Sequence, residues 1–339
     1  MIRKFLRVVV GVCFSIAIYV FPGQETELVG QQTQPAKDTI NLKQQPVKFN
    51  KDLGVAMARI GEGRLRQLDA TLVEIPPGRS SAPVRLLAEE MIYIVSGRGH
   101  TLLWNRPGGK KERYEWKEGD LLSPTMNAWR QHVNESSTES ARYLAVSTAP
   151  LTRKMFHNQA FVNSIDFSFD ERWKQSVGRE PKYTPGAEGP EVVRMMLGHL
   201  LPDIKNRELL PRGNNATGVT ITPYGDMAGN YLLEMELREY MTGDASSPVP
   251  GHRQLWEAVF VVLKGEGYAL VQRDGEAQRR FDWKEGDLYI IDPTEFHSDQ
   301  AGGRPGARRL QIKPTGYFRD VGIEKYLMQS VPAGWRSSQ

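Results

Sequence analysis

The sequence contains itself. The hexapeptide Trp116-Lys-Glu-Gly-Asp-Leu121 recurs unchanged as Trp283–Leu288, 167 residues further on. Upstream of each copy runs an apolar stretch ending in Gly-x-Gly: Glu89-Glu-Met-Ile-Tyr-Ile-Val-Ser-Gly-Arg-Gly99, and Glu257-Ala-Val-Phe-Val-Val-Leu-Lys-Gly-Glu-Gly267, offset by 168. Order and spacing kept this closely mark a duplicated structural unit. The 339 residues therefore divide into two similar halves of ordinary domain size, roughly 100–200 residues each.

Each copy reads as short strands punctuated by turns. In the first they are Gln67–Ile75 before Pro76-Pro-Gly78, Met91–Val95, Thr101–Trp104, a hairpin turn at Asn105–Gly109, Leu121–Leu122 and Tyr143–Ser147. Closely spaced short strands favour a sandwich or barrel. The Gly97-Arg-Gly99 and Gly265-Glu-Gly267 pieces resemble parts of a phosphate loop, but no helix follows either, and they read as hairpin turns. Asp120 and Asp287, after the repeated glycines, read as turn caps.

Between the copies, 151–206 carries Phe156, Phe161, Phe167, Phe169 and Trp173, then a Pro/Gly-rich run and an expected helix Glu191–Leu200. So many aromatics imply an ordered connector docked on both halves, not a solvated linker. A terminal helix is expected over Val321–Gln329.

Met1–Arg7 is basic and Val8–Phe21 apolar, too short for an ordinary span of roughly 20 residues but suited to an export signal. An uncleaved anchor would equally place the body outside the cytoplasm. The expectation is a periplasmic or extracellular protein that meets membrane only through residues 1–23, followed by a flexible spacer over 24–48. Three of the 44 basic residues, Arg3, Lys4 and Arg7, lie in that leader, and the other 41 balance 40 acidic residues. The sequence pI near 9.0 is thus no sign of a nucleic-acid-binding surface. Cys13 is the only cysteine, which excludes internal disulfides, Cys-ligated zinc and a thiol nucleophile in the body.

The two motifs of each copy resemble the signatures of the cupin superfamily. The first signature is Gly, five residues, His-x-His, three or four residues, Glu, six residues, Gly. The second is Gly, five residues, Pro-x-Gly, two residues, His, three residues, Asn. The duplication makes the chain similar to a bicupin. The resemblance implies an all-β chain of two tandem cupin (jelly-roll type) β-barrels, 49–150 and 207–316, joined by the connector 151–206 and ending in a short C-terminal helix within 317–339. It also implies one divalent transition metal, Fe or Mn, where the ligand positions survive.

In the first barrel they do not survive. Val84 and Leu86 stand at the two His positions, Glu90 at the Glu, Arg130 at the third His and Asn134 at the Asn. One carboxylate facing an arginine holds no metal. Alternation puts Val84, Leu86, Ala88, Glu90 and Ile92 on one face, and Glu90 and Arg130 are expected to pair there, either as a structural bridge or as a pocket in which Arg130 meets a ligand carboxylate. His132 shares that face.

The second barrel keeps His252, Gln254 and His297 at His positions, with Ala258 at the Glu. Glu257 points away from that face unless a bulge turns it inward. A centre would comprise His252 and His297 with Gln254 or Glu257 as third ligand, and Trp256 as a pocket wall.

Three functions follow. One is a metal-dependent, dioxygenase-like or related small-molecule enzyme in the second barrel, resting on the resemblance. Another is a non-catalytic small-molecule-binding or scaffold bicupin. The third is metal-free isomerisation or dehydration with Glu90 as base and Arg130 as clamp. The expected partner is a small molecule, an organic acid among the candidates, and a homo-oligomer is left open.

Overall fold

The structure is a computed structural model. It describes residues 38–179, 182–186, 189–196, 198–209, 219–226, 230–240, 251–301, 306–323, 332 and 334–336, with the backbone path alone given for 182–186, 189–196 and 219–226. The leader 1–23 lies outside the described residues. From Asp38 onward the chain is one compact unit.

The expected all-β duplication is present. Each half sets a large sheet against a three-stranded one. In the first half the large sheet runs Leu200–Leu201, Leu121–Leu122, Glu90–Ser96, Ala141–Ser147, Asp69–Ile75, Val55–Ile60 and Lys48–Asn50. The small one is Glu112–Lys117, Arg98–Trp104 and Trp129–Asn134. The second half repeats this around Ala258–Lys264, Ala307–Lys313 and Glu234–Tyr240, opposite Arg279–Lys284, Glu266–Gln272 and Phe296–Ala301.

Alternation sends one face of each large sheet into its own half, where Ile75, Ile92, Ile94 and Trp116, or Phe260, Val262 and Trp283, form a core. The other faces join in a third core, in which Leu72, Met91 and Leu144 meet Leu237, Val259 and Leu310.

The repeated motifs explain each other. Gly99 and Gly267 lie under the indoles of Trp116 and Trp283, where a Cβ would strike the ring and a backbone carbonyl, Val133 or Gln300 respectively. Asp120 Oδ2 accepts from Lys117 N at 2.9 Å, and Asp287 Oδ2 from Lys284 N at 3.0 Å, the expected turn caps. The glycine links are corners and not the expected hairpins, since the strands before and after Gly97 belong to different sheets. Gly97 and Gly265 take φ +86° and +74°, and a Cβ on Gly97 would sit 2.7 Å from the Ala141 Cα. Only glycine makes that turn without strain.

The spacer expectation fails from Asp38 onward. Thr39–Asn41 is a strand paired with Asp287–Tyr289 of the second half, and Leu200–Leu201, ahead of the second half, pairs with Leu121–Leu122 of the first. The exchange is reciprocal down to single bonds: Leu42 N donates to Gly286 O and Ile204 N to Gly119 O, both at 2.9 Å.

Three further expectations change. Gly189–Met196 is a strand paired with Lys182–Gly186, not a helix, in keeping with the β-branched Val192-Val193 pair. The connector instead holds helices α1 (Ala149–Phe156), α2 (Gln159–Ser164) and α3 (Asp170–Ser176), and it leaves Phe156 and Phe167 exposed. The C-terminal helix, α4, is Thr315–Asp320, earlier than the expected span, whose residues beyond 323 lie outside the described ones.

Candidate functional site

The interior of the first half holds a cavity of about 170 Å³. Val73, Val84, Leu86 and Ile92 give it apolar walls, and its polar groups converge from four strands: Asp69 with Thr71, Glu90, Arg130 with His132, and Tyr143 with Ser147. Alternation places Glu90 inward beside Ile92, and Arg130 and His132, two apart, point inward together. Val84 and Arg130 exchange both backbone bonds, at 2.9 and 2.8 Å, which fixes the segment before Glu90 beside the strand that carries Arg130.

Glu90 and Arg130 pair as the sequence implied. Nη2 donates to Oε1 at 2.9 Å. Oε2 lies 2.8 Å from the same nitrogen but out of line for a hydrogen bond, and it is a buried oxygen with no bonded partner. Among the described residues the arginine spends only Nη2 on another side chain, and Nε and Nη1 remain as donors. Burial pushes the Glu90 carboxyl above its usual range, and Arg130 opposes that shift without cancelling it.

His132 belongs to a network the sequence analysis missed. The Trp116 indole N–H donates to Thr101 Oγ1 at 3.0 Å, and Thr101 Oγ1 meets His132 Nδ1 at 2.8 Å. An indole can only donate, so the hydroxyl accepts there and keeps its proton and a second lone pair for Nδ1. His132 Nε2 has no hydrogen-bond partner among the described residues. Burial, then Arg130, pulls the His132 pKa down to about 3, so the ring is neutral at ordinary pH. The copies differ at this point, for in the second half Ala269 replaces Thr101 and Asp299 replaces His132, and the Trp283 indole N–H has no acceptor among the described residues.

The second interior is chemically unlike the first. Arg309 is buried among the rings of Phe260 and Tyr240, 4.9 and 5.0 Å from their centroids, and pairs with Asp299 at 2.7 Å. Tyr289 also donates to Asp299, at 2.8 Å. Glu236 is held by Lys313 at 3.0 Å and Arg238 at 2.9 Å. Buried charges are expected to pair in this way.

Of the four candidate ligands, the fold brings His252 and His297 together. Their backbones exchange two bonds of 3.0 Å and their ring centroids are 4.3 Å apart. Burial lowers both pKa values, that of His252 to about 3, so both imidazoles present neutral nitrogens. Gln254 turns its amide N–H₂ to Trp256 O at 3.2 Å.

Glu257 does not join them. Its carboxylate accepts the backbone N–H of Arg66 at 2.6 Å, Gln67 at 2.8 Å and Leu68 at 2.9 Å. Its twin Glu89 does the same for Tyr231, Leu232 and Leu233 at 2.8, 2.7 and 2.8 Å, and adds an ion pair with Arg172 at 2.9 Å. These two glutamates tie each half to the segment entering the other. The 168-residue offset that relates them was the signal that would have marked Glu89. Trp256 is buried against Phe318 of α4, ring centroids 5.7 Å apart.

Among the described residues no three His, Cys, Asp or Glu side chains converge to hold a metal ion. Asp299, two residues from His297, is committed to Arg309 and Tyr289. Two imidazoles and a neutral amide fall short of the donors a divalent transition ion requires, so this set does not fit one as it stands.

No family profile and no curated protein matches the chain. Solved structures do. Salicylate 1,2-dioxygenase from Pseudaminobacter salicylatoxidans is 16% identical, with a TM-score of 0.55, over 77% of this chain and 74% of that one. A variant of that dioxygenase in complex with gentisate is 14% identical, TM-score 0.55, over 83% and 79%. A variant oxalate decarboxylase from Bacillus subtilis is 12% identical, TM-score 0.53, over 83% and 78%. The chain thus has the bicupin fold, and the neighbours named here are enzymes of small organic acids.

Proposed function

We propose that the protein is an exported bicupin that takes a small organic acid into its first barrel and is equipped there for metal-free proton transfer. The observation that carries this reading is the cavity in which Arg130 keeps unspent donors beside a buried Glu90 oxygen, Oε2, that accepts no hydrogen bond among the described residues. Its volume of about 170 Å³ is close to that of an engineered cavity of about 150 Å³ known to admit benzene. A single ring or a short chain fits. The ligand carboxylate accepts a charge-assisted hydrogen bond from Nη1 of Arg130. A hydroxyl on the ligand donates to Glu90 Oε2, and His132, as its Nε2–H tautomer, reaches a second oxygen.

Chemistry follows from the same placement. A carboxylate with a raised pKa is a stronger base than an ordinary one. Arg130 stabilises negative charge that develops on the bound acid as the proton leaves. The organic-acid partners of the structural neighbours support the substrate class. Calorimetric titration with oxalate, benzoate and salicylate tests the reading. Binding of at least one, lost in Arg130→Met, is expected, and failure of all three to bind would sink it. The export component rests on the basic and apolar leader and is checked by the N-terminal sequence of the secreted protein.

A second reading, a metal-dependent oxygenase in the second barrel, is favoured by the apposed imidazoles of His252 and His297 and by the dioxygenases among the neighbours. Elemental analysis decides it: about one transition metal per chain, lost in His252→Ala/His297→Ala, is what it requires.

A further inference from the structure

Asp69 lines the first-barrel cavity and also a second, outer one of about 470 Å³. The outer cavity carries four cationic side chains, Arg59, Arg66, Arg153 and Lys154, against two acidic ones, Glu62 and Asp69. Arg153 projects from α1 and bonds Asp69 Oδ2 through Nη2 at 2.8 Å, while Arg59 stands 3.9 Å from the same oxygen. On the inner side Asp69 is one strand away from the site. It lies opposite Ser147 in the sheet, and Ser147 lies opposite Glu90.

We propose that this outer cavity is the vestibule through which an anionic ligand enters the first barrel, with the Asp69–Arg153 pair as a latch across the passage. The inference deepens the organic-acid reading and rests on it. Two carboxylates, Asp69 and Glu90, stand in line at the inner end and would repel an incoming acid. Arg153 neutralises the first of them, as Arg130 does the second. The ligand carboxylate exchanges with Asp69 on Arg153, passes to the free donors of Arg130, and the outer pair re-forms behind it. Arg59, Arg66 and Lys154 raise the local anion concentration at the mouth, where a concave, partly desolvated wall focuses the field.

Stopped-flow binding of salicylate, followed by its own fluorescence with the full-length protein, tests the route. The on-rate is expected to fall several-fold between low salt and roughly 0.2 M, because screening shortens to under about 10 Å. Arg153→Met should lower the on-rate about tenfold, and Arg59→Met/Arg66→Met should flatten its salt dependence. Lys110→Met, an equal charge loss on another part of the surface, should leave the rate within about twofold. Binding that persists with rates indifferent to salt and to these substitutions, or equally slowed by Lys110→Met, overturns the vestibule alone. Failure of salicylate, benzoate and oxalate alike to bind the unaltered protein overturns the organic-acid reading, and the vestibule with it.

Discussion

Removing Arg130 while keeping Glu90 is the perturbation with the most specific consequence. Both groups are nearly enclosed, 8% and 6% exposed, and among the described residues the guanidinium is the only cation paired with that carboxylate. Breaking a buried pair from one side typically costs about 3–5 kcal/mol, because the remaining charge stays in a poor solvent. Arg130→Met should therefore destabilise the protein by about that much at pH 7. The stranded carboxyl can escape by binding a proton, since burial already lifts its pKa. The native state then holds a proton that the unfolded chain gives up, so the deficit shrinks as pH falls toward 5. Glu90→Met/Arg130→Met removes both charges and should return to within about 2 kcal/mol of the parent. Urea unfolding followed by tryptophan fluorescence, at pH 7 and pH 5, measures all three. A cost below about 1 kcal/mol for Arg130→Met, with no pH dependence, would mean that water already screens the pair, and the reasoning about an enclosed, reactive carboxylate would fall.

Other outcomes follow from the same structure. Glu257→Ala and Glu89→Ala each strand three backbone N–H groups, so each should cost at least about 3 kcal/mol in urea unfolding, and Glu257→Ala should leave metal content unchanged. His132 and His199 are buried with pKa values pulled down to about 3. The unfolded chain takes up their protons near pH 6.5 and the native state does not, so stability present above that pH is lost on acidification. The loss should be about 2 kcal/mol per histidine between pH 6.5 and 5, and denaturation midpoints against pH would show a shallower slope in His199→Gln. Gly99→Ala should destabilise by about 2 kcal/mol or more, because the new methyl drives into Trp116 and the Val133 carbonyl, whereas alanine at the open, positive-φ Gly108 should cost only about 1 kcal/mol.

What the sequence made legible was what repeats or alternates. The duplicated hexapeptide defined two halves, and the resemblance to the cupin signatures, together with period-two alternation, set Glu90 against Arg130. Alternation also directed Glu257 away from His252 and Gln254, and the carboxylate is indeed spent elsewhere. The partners it found there had no sequence signature, since they are the backbone amides of 66–68, donated from the other half. The exchange of Thr39–Asn41 and Leu200–Leu201 was hidden for a related reason. Strands of two or three residues carry no period, and their identity comes from the sheet edge they complete. The connector misled because an apolar ring in sequence does not report exposure: Phe156 and Phe167 remain at the surface. The Trp116–Thr101–His132 chain was missed because the repeat was compared for what it conserves, while the change from Thr101 to Ala269 and from His132 to Asp299 is what separates the two interiors.

The central claim is that the first barrel is the working one and that Arg130 receives a carboxylate. Crystals of the protein soaked with 3-bromobenzoate, with data collected at the bromine edge, locate the ligand without reference to activity. The account predicts one anomalous peak inside the first barrel, with the carboxylate against Arg130, and its loss in Glu90→Met/Arg130→Met. A peak between His252 and His297 instead, or none in the first barrel at saturating ligand, would contradict it.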